Sequence, residues 1–292
     1  MNLSELVHKR LSVDRNIASC LAEYGGTPAI FNTDFPNDQD EGWEGRTQYP
    51  RISYQFNMQV DMDRASAGTL RVSVYSFQNP IICERLEVFV RDALKDVLMK
   101  ADDHAPVCVS WARTDPFLLE GNEIICKDIE FDVLEYPSQE TTDPDPIMAL
   151  SAYIKEVVPD SIVLGIDEVG EFTNPADAPI IFCRLESLQL DLTGHSRQQV
   201  TWFNCQIAVH LLCPDPSLRL KLAAGLSQRL ALDDEIIMLD DSPMTLRGIT
   251  MNNRADYLRG GQLTINAHYG CLNDSFAMPI VRHVNITVKE AQ

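Results

Sequence analysis

The stretch Ser138-Gln139-Glu140-Thr141-Thr142-Asp143-Pro144-Asp145-Pro146 divides the chain into two parts that read alike. Its composition is that of a linker, because two prolines deny regular pairing and bias the residues before them toward extended backbone. On its N-terminal side, Leu3, Leu6, Val7, Leu11, Ile17, Ala18 and Leu21 have the spacing of one helix or two short ones. A long acidic loop with glycine and proline runs from Gly25 to Thr47. Ile52, Tyr54, Phe56, Met58 and Val60 then alternate as in a half-buried strand. A turn at Arg64–Gly68 leads to a second strand with Leu70, Val72 and Val74, and Leu86, Phe89, Val90, Ala93, Leu94, Val97 and Leu98 fall at helical spacing. Val107–Trp111 and Ile125–Val133 close this part as two more strands.

The same order follows the linker. Ile147, Leu150, Ile154 and Val157 predict a helix that Pro159 stops, and an acidic loop at Gly165–Asp177 leads to Ala178-Pro179-Ile180-Ile181. The next strand changes phase, from Ile181, Cys183 and Leu185 to Leu188, Leu190 and Leu192, which predicts a bulge. Phe203, Cys205, Ile207, Val209 and Leu211 share one face of the following strand. Pro216 suits the first turn of a helix carrying Leu218, Leu222, Leu226 and Leu230. Leu246–Met251 and Leu263–Cys271 complete the set. The expected fold is α+β: two tandem copies of a small domain, each a roughly four-stranded, mainly antiparallel sheet packed against helices. The boundaries are 1–140, 146–272 and a C-terminal extension, 273–292, with Ile52 matched to Ile181 and Arg113 to Arg254.

A chain of 292 residues, 45 % hydrophobic, is long enough for two ordinary cores. Net charge is −19; residues 1–145 hold 13 Lys and Arg against 26 Asp and Glu, and residues 146–292 hold 11 against 17. Such a surface repels nucleic-acid phosphate. No apolar run has the length of a membrane span, and Met1–Arg10 lacks the pattern of a secretion signal, so the expectation is a cytoplasmic chain with no membrane contact. Its eight cysteines, none in a C-x-x-C pair, are then expected as reduced thiols.

A search for chemistry finds little. Gly165-Ile166-Asp167-Glu168-Val169-Gly170 has two glycines but no Lys-Ser/Thr, and its carboxylates repel phosphate. The six histidines are scattered, without ligand spacing. Asp61/Asp63, Asp102-Asp103, Asp233-Asp234 and Asp240-Asp241 could each face a cation, yet all sit where turns and caps want aspartate. No G-x-S-x-G and no cysteine in a basic setting suggests a nucleophile. The expectation is no catalytic site, no cofactor and no metal. One polar feature recurs: Arg113 with Asp115, and Arg254 with Asp256, either local braces or repeated inter-subunit contacts. Ile280, Arg282, Val284, Ile286 and Val288 alternate as a strand that adds to an edge, of its own sheet or of a neighbouring subunit's.

Tyr49-Pro50-Arg51-Ile52-Ser53-Tyr54, Gly68-Thr69-Leu70-Arg71-Val72-Ser73-Val74-Tyr75, the helix Glu84–Lys100 and Glu130-Phe131-Asp132-Val133-Leu134-Glu135-Tyr136 together resemble the phage tail terminator (tail-completion) family. The resemblance covers most of residues 1–137 and, more weakly, 146–272, through degenerate patterns rather than a signature. Members are single small α/β domains that form a hexameric ring capping the tail tube and later joining the head. The resemblance implies a virion protein of the tail or neck, assembled in the host cytoplasm. Its implied partners are its own copies in a ring of three or six chains, the tail tube or sheath protein, and a head–neck connector. DNA would pass through without specific binding; the net charge of −19, rather than the resemblance, motivates the expectation of an acidic inner face. The duplication departs from the family, and would be met by three chains supplying six domains or six chains building a double-tiered collar. The family offers no catalytic residues to carry over. Two other readings stand beside it: another neck, sheath-capping or baseplate adaptor of a tail or contractile injection system, or a small-molecule enzyme with an unrecognised acidic site.

Overall fold

The structure is a computed structural model that describes residues 1–43, 48–58, 67–119, 123–139, 141–192 and 200–272. Three of its helices begin where Asn or Asp precedes proline: α3 (Pro80–Leu94), α4 (Pro146–Val157) and α5 (Pro216–Asp233). Proline at the first helical position loses no intrahelical bond, and the side chain before it caps the free N–H groups. Asp145 Oδ1 accepts from Ile147 N–H at 2.7 Å and Met148 N–H at 3.1 Å. The last two residues of the linker therefore start a helix. The N-terminal helices are α1 (Leu3–Val13), held by a reciprocal cap between Asn2 and Glu5, and the short α2 (Arg15–Ala18), capped by Asp14.

In chain order the first half carries β1 (Glu23–Tyr24), β2 (Thr27–Pro28), β3 (Ile30–Asn32), β4 (Arg51–Met58), β5 (Gly68–Phe77), β6 (Leu98–Met99), β7 (Val107–Leu119) and β8 (Ile124–Glu135). The second carries β9 (Ile162–Val163), β10 (Phe172–Thr173), β11 (Ile180–Leu190), β12 (Val200–Leu212), β13 (Glu235–Ile237), β14 (Pro243–Met251) and β15 (Leu263–Leu272). β1 and β2 form a small hairpin; the other strands make two sheets, ordered β10-β6-β7-β8-β5-β4-β3 and β13-β14-β15-β12-β11-β9.

Apart from β10, the two sheets have the same strand order. In each, a short edge strand runs parallel to the first long strand, with Ile30 opposite Ile52 and Val163 opposite Ile181. Among the described residues the other pairings between these strands are antiparallel. Each penultimate strand bulges against the last one, at Trp111/Arg113 and at Leu246/Gly248. The bulge expected from the phase change in β11 falls between Leu185 and Ser187.

Two expectations need correction. The sheets have seven and six strands rather than roughly four. Each has four long strands, and the additional ones are two or three residues long, too short to show an alternation. The helix of the first half stops at Leu94 instead of running to Leu98 or Lys100, because Asp96 takes a left-handed φ of 60° and turns the chain into β6.

Helices α1 and α3 cover the inner face of the first sheet over a core that includes Leu6, Leu11, Leu86, Val90, Ile52, Val72 and Phe131. Helices α4 and α5 do the same for the second, over Leu150, Ile154, Leu226, Leu230, Ile207, Val209 and Tyr269. Among the described residues no helix is long and apolar enough to cross a membrane. The extension with Ile280, Arg282, Val284, Ile286 and Val288 lies outside the described residues, as do Asp61, Asp63, His195 and His283.

Candidate functional site

Arg113 and Asp115 lie on the exposed stretch of β7. The Arg113 guanidinium donates to Glu130 Oε2 on β8 at 2.8 Å and sits 3.4 Å from Asp115 Oδ2. Arg254 and Asp256 instead lie in the connection between β14 and β15. Asp256 pairs with Arg259 at 3.5 Å and accepts from Leu258 N–H at 3.0 Å, while Arg254 N–H donates to Asn252 Oδ1 at 3.1 Å. The match of Arg113 to Arg254 therefore does not hold. The bulge places Gly248 at the position of Arg113, since each follows the skipped residue of its strand. The middle of β7 and the β14–β15 connection have similar letters, but the letters sit at different places in the fold.

What the structure does bring together is a seam between the halves. The outer faces of the two sheets meet at Leu98, Cys108, Leu134 and Tyr136 from the first half and Ile180, Phe182 and Leu212 from the second, with Leu164 and Leu258. This explains the unbroken buried runs Val107-Cys108-Val109 and Ile180-Ile181-Phe182, since alternate residues serve the inner core and the seam. Polar links cross it as well. Tyr136 Oη donates to Leu258 O at 3.0 Å, Arg259 pairs with Asp132, and Leu185 N–H donates to Gln139 Oε1 at 2.7 Å. β10 leaves its own half and pairs with β6, Phe172 opposite Met99, while its Phe172 ring packs beneath Arg10 and Lys9 of α1. Burial pushes the Tyr136 phenol well above its ordinary pKa, and burial followed by the bond to Asp96 does the same for Tyr257. The seam is buried and its phenols stay neutral at ordinary pH.

His210 points into this outer face, its ring 5.6 Å from that of Phe182. It is 4 % exposed, and neither ring nitrogen has a hydrogen-bond partner among the described residues. Burial, helped by the nearby Arg184 charge, lowers its pKa to about 4.

Beside the seam is an open cleft of about 650 Å³ lined by Lys100, Asp102, Asp103, His104, Asp167 and Glu168, among others. Two of its carboxylates are engaged. Asp102 pairs with the N-terminal amine, and Asp167 accepts from Val163 N–H at 2.8 Å and lies 3.0 Å from Lys155. Burial raises Asp167, but those two partners outweigh it and hold it below the usual carboxylate range. Asp233 bonds Tyr153 at 2.6 Å and Arg229 at 2.9 Å, and Asp240 accepts from Ser242 N–H at 3.0 Å, so these pairs act as caps and turns. No metal-binding group of His, Cys, Asp or Glu occurs among the described residues.

A carboxylate–imidazole pair that spacing did not reveal lies on the second sheet. His268 Nε2 is 3.2 Å from Asp191 Oδ2, its ring stacks on Trp202 at 5.0 Å, and Arg247 is 3.4 Å from Nδ1. A guanidinium can only donate, so Nδ1 accepts and Nε2–H donates to the carboxylate. Both nitrogens thus face protein partners, Arg247 and Asp191. Burial pushes the Cys83 and Cys205 thiols up to about 11 and Cys183 to about 12, away from thiolate at these three positions. What the two sheets build between them is an apolar seam joining the two halves of one chain. Neither the family models nor the curated proteins compared with the chain match it.

Proposed function

We propose that this chain is a structural virion protein: two tandem copies of one terminator-like domain, residues 1–140 and 146–272, that close into a ring at the end of a phage tail or tail-like particle. There it caps the tube or sheath and joins it to the head or neck. The observation that carries the reading is the repeated strand order, with its parallel edge strand and its bulge in the penultimate strand on both sides of Asp143–Pro146. Two copies joined by a buried apolar seam form a two-domain unit, and units with a heterologous contact close into rings when the rotation permits. Three chains then supply six domains. The net charge of −19 suits a wall past which DNA slides without being gripped.

Mass measurement in solution tests the ring, and imaging of particles tests its place. A closed species of three or six chains, seen at the end of the tail, is the expected result. A ring found at the baseplate or within the neck favours the adaptor reading. A single chain that binds a small molecule refutes the structural one.

A further inference from the structure

The shared strand order allows positions in the two halves to be matched. Setting the β14 bulge on the β7 bulge places Leu246 on Trp111 and Ala267 on Phe131; carried through β5 and β12, the same registers place Cys183 on Ile52, so the match of Ile52 to Ile181 is off by two residues. Pro243 then falls on Cys108 and Leu272 on Tyr136. The registers of β6 and β13 add Ile237, opposite Pro243, on Leu98, opposite Cys108.

In the first half these positions are sealed: Leu98 and Cys108 are 0 % exposed and Tyr136 3 %, beneath Ile180, Phe182 and Leu212 of the second half. In the second half the matching positions are bare. Ile237 is 57 % exposed and Leu272 70 %, Pro243 is exposed, and Leu239 beside them is 70 % exposed. Single exposed leucines mean little. Four apolar residues together, at the positions that bury an interface in the other copy, carry more weight. The backbone repeats the pattern. The outer edge of β6 receives β10, whereas the outer edge of β13 has no strand among the described residues.

We propose that the patch of Ile237, Leu239, Pro243 and Leu272, with the β13 edge, is the contact surface for a second copy of this chain. That copy lies on the second half as the second half lies on the first. The occupant follows from order: each domain's patch is covered by the next domain, and after the second domain the next one belongs to another copy. This is a heterologous, head-to-tail contact, the kind that closes rings. The inference rests on the ring reading and names the surface that makes the ring.

The test is light scattering on the full chain, on a variant with both Ile237→Asp and Leu239→Asp, on Leu272→Asp, and on residues 1–272. The substituted side chains are exposed, so circular-dichroism melts of the variants are expected to match the wild type. If the double variant melts early, Leu272→Asp supplies the reading. The expected result is a closed species for the wild type and for 1–272, and single folded chains for the variants, with association weakened at least about 30-fold, as for interface hot spots. Folded variants that still form the ring would overturn the patch while leaving the ring reading intact. A wild type that is a single chain at every concentration would overturn both. If 1–272 associates where the full chain does not, the C-terminal segment covers the patch, and the proposal of a second copy fails.

Discussion

The Tyr136 phenol donates a 3.0 Å hydrogen bond to the Leu258 backbone carbonyl, joining residues 122 positions apart across the seam. The tyrosine ring also meets Phe182 edge-on at 5.4 Å. Tyr136→Phe keeps the ring and strands the carbonyl, so a loss of about 1–3 kcal/mol is expected. Tyr136→Ala opens a cavity as well, for about 3–5 kcal/mol. Because the seam joins both sheets, both losses are expected in one cooperative transition. Denaturant unfolding followed by tryptophan emission and by circular dichroism checks this: transitions at two different midpoints in the wild type would show halves that unfold separately.

Arg51 is 3 % exposed under the acidic loop of the first half. Its guanidinium donates to Asp38 at 2.6 Å and to Tyr49 Oη at 3.0 Å, and stacks 3.7 Å from the Phe35 ring. A planar fork can bond and stack at once, which an ammonium cannot. Arg51→Lys is therefore expected to cost about 1–2 kcal/mol through lost stacking. Arg51→Met removes the charged bond as well, while Asp38 keeps Tyr49 Oη at 3.5 Å and stays partly exposed, so it is expected to cost about 2 kcal/mol. Trp43, 6 % exposed in the same roof and 5.8 Å from the guanidinium, should shift its emission to the red. An unchanged midpoint and spectrum for Arg51→Met would show that the cage does not hold the loop.

The long strands and helices were legible because each buries a face and must repeat its apolar residues at a period of 2 or 3.6. The bulge in β11 was legible for the same reason, as Leu185 and Leu188 cannot share a face without an extra residue. β10 was not legible. Phe172-Thr173 has no period, and its partner Met99 lies in the other half, so only the tertiary fold creates the strand. The seam showed only indirectly: runs such as Val107-Cys108-Val109 mark strands buried on both faces but do not say what covers them. The Arg113/Arg254 match failed because an Arg-x-Asp triplet suits an exposed strand face, as in β7, as well as a turn, as between β14 and β15, so the letters alone do not fix the element. Arg51 was hidden by its type, since an arginine reads as surface until a cage is seen around it.

His210 sets a pH dependence with a definite sign. Its folded pKa, lowered to about 4, lies below the ordinary 6.5, so the unfolded chain binds the proton first. Its contribution is present above about pH 6.5 and is lost as the pH falls toward 4, amounting to about 3 kcal/mol in full. Carboxylates with lowered pKa, such as Asp167 and Glu87, lose their own contribution only at lower pH, below the ordinary carboxylate range. His210→Phe places a ring beside Phe182 without the titration and is expected to flatten the stability curve between pH 6.5 and 4. Urea midpoints across that range, taken as the difference between variant and wild type, check it; parallel curves would mean His210 is solvated.

Salt provides the last prediction, because each chain carries a net charge of −19. Copies that associate through an apolar patch must approach against their own repulsion, and repulsion between surface charges falls within a screening length. That length shrinks from about 30 Å at 0.01 M salt to about 8 Å at 0.15 M. Asp240 and Asp241, beside Leu239, sharpen the effect by putting carboxylates on the rim of the patch. Association is therefore expected to strengthen as salt rises, with the midpoint concentration falling by about tenfold over that interval, the size common for electrostatic effects on association rates. Sedimentation at several salt concentrations measures it directly. An assembly that falls apart as salt rises would be held by charge pairing, and its contact surface would have to lie away from Ile237 and Leu272.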